Sequence, residues 1–166
     1  MANARPPSIV VPPNTSATRI ALVNRLVCRT GTSGGVKYDT AADLRDTRVT
    51  NTNLIALLID SDRAAKELGC FVLITMVRTG HHDDGPHGHF GGFAADTWLL
   101  NSQRDGDYVH GTDQTFTKWL RATHASPWQW QIILAGEAIT DANLAAIAPD
   151  GFTEDAPDHV HQGAHS

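Results

Sequence analysis

Residues 70–100, CFVLITMVRTGHHDDGPHGHFGGFAADTWLL, carry the reading on which the fold turns. The first eight, "CFVLITMV", are apolar, rich in β-branched residues and too short for a stable helix, so they read as a strand buried on both faces. "GGFAADTWLL" (91–100) reads as a second strand. Between them lies a polar, glycine-punctuated connection that carries Arg78 and four histidines, His81, His82, His87 and His89. Two buried strands joined in this way place that cluster at one end of a sheet.

Upstream, residues 52–68 repeat apolar side chains at helical spacing through Leu54, Leu58, Ala65 and Leu68. Thr50 to Asn53 offer N-caps and Gly69 a stop. "IALVNRLV" (20–27) fits either a strand or a short helix, and "RTGTSGG" after it reads as a loop. Downstream, Thr112 or Asp113 caps a helix with Phe116, Trp119 and Leu120 on one face, which marks these residues as core. "WQWQIIL" reads as a third strand, Thr140 caps a short helix to Ile147, and Asp150-Gly151 makes a turn. Period-two alternation in "DAPDHVHQGAHS" makes a last strand. No repeat is visible. The fold class is α+β, a small, mostly antiparallel sheet with flanking helices.

Length and composition restrict function. A chain of 166 residues forms one domain that buries about two-thirds of its unfolded surface without disulfides. Residues 1–18 hold four of the eight prolines and few core formers, so they read as an extended arm, leaving residues 19–166 as the domain. A net charge of -5, with no Lys/Arg-rich run to track phosphates, argues against nucleic acid as a partner. No apolar run approaches the roughly 20 residues of a membrane helix, so membrane insertion is not expected. Ile9, Val10 and Val11 are too short an apolar stretch for a secretory signal. The two cysteines, Cys28 and Cys70, read as packing residues rather than a disulfide or a thiolate metal site.

The histidine segment carries the chemistry. Zinc takes about four ligands from imidazole, thiolate and carboxylate, and a catalytic site leaves one position to water. His89 and Asp96 are separated by six residues that include Gly91-Gly92, whose small size lets the chain fold one ligand toward the other. "DHVH" (158–161) supplies further nitrogens, and on a strand His159 and His161 point to the same face. His81, His110 and His124 read as surface residues.

"HFGGFAAD" with a distant "DHVH" resembles the zinc peptidases that cut peptidoglycan stem peptides. This group contains D-alanyl-D-alanine carboxypeptidases and phage L-alanyl-D-glutamate endopeptidases and extends to hedgehog domains. Its first motif is a histidine, two residues, a glycine, a small hydrophobic pair and an aspartate, which His89, Gly92, Phe93, Ala94 and Asp96 match. Its second motif is an acidic residue three before a histidine, or a histidine two before one; Asp158, His159 and His161 satisfy both. Arg78 stands where the family places a substrate-binding arginine.

The resemblance implies a hedgehog-like or D-Ala-D-Ala-peptidase-like fold. It further implies Zn2+ held by His89, Asp96 and His161, with Asp158 as general base, His159 as an alternative to it, and Arg78 as the contact to a substrate carboxylate or oxyanion. Where the family commonly carries serine, two residues before the first ligand, this chain has His87, so His82 and His87 are further ligand candidates. The expected substrate is a peptidoglycan peptide. The expected setting is a phage lysis enzyme, made in the host cytoplasm and released to the cell wall, or a virion-borne enzyme joined to the particle through the arm. The alternative is a non-catalytic structural or binding component of a phage particle that retains the site.

Overall fold

The computed structural model describes residues 15–81, 88–109, 111–121, 129–134 and 159–164. The N-terminal arm before Thr15, the expected helix after Thr140 and the expected turn at Asp150-Gly151 lie outside these residues. The elements in chain order are α1 (Ser16–Arg25), β1 (Val27–Cys28), β2 (Thr30–Ser33), β3 (Val36–Asp39), α2 (Thr40–Arg45), α3 (Thr52–Glu67), β4 (Phe71–Met76), β5 (Ala94–Leu100), α4 (Asp113–Trp119), β6 (Gln129–Leu134) and β7 (Val160–Ala164). Among the described residues they form a five-stranded sheet of order β1-β4-β5-β7-β6 and a separate two-stranded hairpin, β2-β3. In the larger sheet β1 runs parallel to β4, and every other pair is antiparallel. The protein is therefore α+β with a mostly antiparallel sheet. No helix among the described residues is long and apolar enough to cross a membrane.

α3 is the central support. Asn51 caps it, its side chain accepting from the Asn53 amide. Sequence periodicity predicts one apolar face, yet Leu54 through Asp62, and Ala64 and Ala65, are all buried. The reason is position: α3 packs on β4, β5 and β7 while α1 and α4 flank it, so it has almost no solvent side. Val72, Ile74, Ala95, Leu99, Val160 and Ala164 enter the core it covers. A buried polar link crosses the same layer, in which Ser61 Oγ donates to Gln162 Oε1 and Gln162 Nε2 donates to Thr97 Oγ1. Each polar atom buried there has a partner, which avoids the desolvation penalty of burying it unpaired.

Three local expectations change. α1 takes in residues 16–18, which the proline count assigns to the arm, because Thr15 accepts from the Thr18 amide and starts the helix there. "IALVNRLV" resolves as the end of α1 followed by β1. "RTGTSGG" is not a loop but most of a hairpin, with Gly34 and Gly35 both at positive φ, 55° and 79°, as a two-residue turn between strands requires. Its side chains are mostly exposed, so no hydrophobic alternation betrays it. Cys28 and Cys70 are free thiols, as expected of packing residues.

Candidate metal centre

Strand alternation decides which side chains meet. On β5 the residues Ala95, Thr97 and Leu99 turn toward the helices, so Asp96 and Trp98 lie on the opposite face. On β7 Val160, Gln162 and Ala164 turn toward the helices, which puts His161 on Asp96's face. The antiparallel register sets Asp96 directly across from His161. A carboxylate and an imidazole 65 residues apart in the chain thereby become a cross-strand pair, with His161 Nδ1 3.2 Å from Asp96 Oδ1.

His89 arrives from a turn rather than a strand. The Gly92 amide donates to the His89 carbonyl and the Phe93 amide to the Gly88 carbonyl, closing residues 88–93 into a compact loop. Gly92 has φ of 81°, and a methyl group in place of its hydrogen would collide with the Val49 carbonyl oxygen. The Asn51 amide donates to the Gly92 carbonyl at 2.9 Å, so the loop is seated on the residues that start α3. Only glycine permits both the dihedral and the approach.

The result is a triangle. His89 Nε2 lies 3.2 Å from Asp96 Oδ1 and 3.3 Å from His161 Nδ1, and the third edge is the 3.2 Å already given. His89 is fully buried and His161 nearly so. Three ligands of a tetrahedral zinc with bonds of about 2.0–2.1 Å stand about 3.3–3.4 Å apart, so the donor set fits that ion in both type and spacing. His89 Nδ1 is 2.6 Å from the Val77 carbonyl oxygen. A carbonyl can only accept, so Nδ1 carries a hydrogen and Nε2 is the nitrogen that faces the centre, as a donor to Asp96 in the metal-free protein and as a lone pair toward a bound cation. Lone pairs from two imidazoles and a carboxylate, packed this closely and away from water, require a proton or a cation among them. Burial pushes the Asp96 carboxyl up, but the adjacent His89 and His161 together outweigh it and hold the group well below the usual carboxylate range. Asp96 is thus an anion at neutral pH.

The other expected residues divide. His159, two residues before His161, places its buried Nε2 3.7 Å from Asp96 Oδ1, so both histidines of "DHVH" reach one site. Asp158, His82 and His87 lie outside the described residues, as do His110 and His124. Arg78 lies just past the end of β4, in the connection to which the sequence assigns it. Its guanidinium lies over the Phe90 ring, 5.4 Å from the centroid, beside the loop that carries His89. Phe90 is 48% exposed, so this pair forms part of the outer rim.

Two residues were not anticipated. His81 is no simple surface residue: its ring stacks on His89 with centroids 3.8 Å apart and planes 10° from parallel. One of its nitrogens falls within 4.8 Å of the donor atoms of His89 and Asp96, and these three residues form a group that could hold a metal ion. The doubled histidine at 81–82 is its only trace in the sequence. Asp43, on α2, accepts from the Arg78 and Thr79 amides and the Thr79 hydroxyl, fixing the turn that carries His81. Nothing in its neighbourhood in sequence announces that role. Comparison with protein-family models, with curated proteins and with solved structures finds no match to this chain.

Proposed function

We propose that this chain is a zinc-dependent peptidase that hydrolyses a peptide bond in the stem peptides or cross-bridges of peptidoglycan, with His89, Asp96 and His161 as the metal ligands. The observation that carries the reading is the 3.2–3.3 Å triangle of two imidazole nitrogens and one carboxylate oxygen. The bond class comes from the resemblance of "HFGGFAAD" and "DHVH" to the peptidoglycan-cleaving zinc peptidases.

Zinc in such a site supplies Lewis acidity, polarising a carbonyl and bringing the pKa of a coordinated water toward about 7. The protein's own groups do the rest. Asp158 accepts the proton of the attacking water and passes it to the leaving amine, a role typically worth about 10²–10⁴-fold. His159, beside Asp96, holds the developing oxyanion or takes the proton if Asp158 does not. Arg78 binds a carboxylate of the stem peptide by its planar fork, and Phe90 beneath it keeps the guanidinium from swinging away. Trp98, on the same sheet face as Asp96, lines the cleft.

The test needs purified protein and purified peptidoglycan. The expected result is about one equivalent of zinc, release of soluble fragments, and loss of both in His89→Ala; mass spectrometry of the fragments then identifies the bond. Bound zinc without any cleavage would overturn the peptidase reading in favour of a structural or binding component of a phage particle. A chain that binds no zinc would remove the metal centre as well.

A further inference from the structure

The His81–His89 stack presents a choice of roles. His81 is close enough to be taken for a fourth ligand, with a nitrogen within 4.8 Å of the donor atoms of His89 and Asp96. Its orientation argues otherwise. The lone pair of an imidazole nitrogen lies in the plane of its ring. Two rings 3.8 Å apart and only 10° from parallel direct their lone pairs along separate, nearly parallel planes, which do not converge on one ion. His161 is tilted by 59° from His89, and such a tilt does let two imidazoles converge.

The turn that carries His81 is heavily secured. Asp43 accepts three hydrogen bonds from Arg78 and Thr79, at 3.2, 2.8 and 2.7 Å. Gly80 has a φ of 85°, a side chain there would meet Ser33 and Tyr38 of the β2-β3 hairpin, and the His81 amide donates to the Arg78 carbonyl at 3.1 Å. A partly exposed histidine is thus held flat over a fully buried one by a turn that Asp43 of α2 secures. The Val77 carbonyl holds one edge of the His89 ring, and His81 covers a face of it.

We infer that His81 is a positioning residue for the first metal ligand, fixing the orientation of the His89 ring and shielding its face without coordinating the ion itself. The inference rests on the metal-binding part of the proposed function and is independent of the peptidase part. Outer groups that orient a ligand typically change metal affinity about 10–100-fold when removed.

The experiment compares His81→Ala, which removes the ring, with His81→Phe, which keeps a flat ring and removes both nitrogens. Co2+ and Zn2+ affinity and the visible spectrum of the Co2+ form are measured without substrate, and the urea midpoint is measured on metal-free protein. The expected result is at least a tenfold loss of affinity and an altered Co2+ spectrum in His81→Ala. His81→Phe should stay within about threefold of wild type with an unchanged spectrum, and all three metal-free proteins should share one midpoint. Equal losses in both variants would make His81 a ligand, no loss in either would make it a bystander, and a matching fall in the metal-free midpoint of His81→Ala would make its role merely structural; each overturns the inference. If wild-type protein takes up neither ion, the metal-binding reading fails first and the inference falls with it.

Discussion

Asp96 is the residue on which the site's electrostatics depend. It lies against three histidines and stays ionised because His89 and His161 compensate its burial. Its folded-state pKa is below the unfolded value of about 3.9. Its ionised form therefore contributes stability that is fully present above that value and is lost as the pH falls through the folded one. Asp96→Asn should accordingly flatten the acid limb of stability against pH in the metal-free protein, measured as urea midpoints between about pH 5 and about pH 2.5. The same substitution should lower zinc affinity by at least about 100-fold in competition with a chromophoric chelator, since it removes the one anionic group among the proposed ligands. Asp158→Ala should keep the zinc and lose about 10²–10⁴-fold in turnover. Full activity in that variant would transfer the base role to His159. Asp96, His89 and His161 are legible as candidates from residue type and spacing alone, because few contexts place a histidine, a small-residue bend and an aspartate together. His81 is not, because a stack across an eight-residue separation depends on how the loop folds back.

At the scale of elements, the loop of residues 88–93 depends on Gly92. Gly92→Ala forces a side chain onto a φ of 81° and against the Val49 carbonyl, so both strain and collision follow. A loss of at least about 2 kcal/mol is expected, read from the urea midpoint, with zinc affinity falling as His89 is displaced. The β5-β7 pair is equally exacting. A slip of one residue would turn His161 to the helix side and bring Val160 or Gln162 to the site, which the buried Ser61–Gln162–Thr97 link opposes. β4, β5, β6 and β7 and helices α3 and α4 follow from short apolar runs, strand alternation and helical spacing. The β2-β3 hairpin does not, because its exposed side chains carry no such pattern. Its Gly34-Gly35 pair is a hairpin signal in its own right and is the feature that would have found it.

For the whole molecule, the proposed metal centre ties together segments that are distant in the chain: the loop after β4, β5 and the start of β7. A cation bound only to the folded state stabilises it by mass action, about 2.7 kcal/mol at a free concentration 100 times the Kd. Stripping the ion with a chelator should therefore lower Tm by several degrees, and restoring zinc should recover it, as followed by differential scanning fluorimetry. A reductant should leave Tm unchanged, since Cys28 and Cys70 are free thiols and no disulfide joins them.

The order of residues by itself determined that this chain folds as α+β around a helix and a run of buried strands. It also marked His89, Asp96, His159 and His161 as candidate cation ligands. Local pattern suffices for these, since apolar period sets the element and side-chain chemistry sets the donor. Tertiary structure alone decided that Asp96 faces His161 across a strand pair, that the Val77 carbonyl selects the tautomer of His89, and that His81 lies flat on it under the hold of Asp43. Those contacts join residues from separate elements, and strand register and loop closure, which no local pattern encodes, bring them within reach.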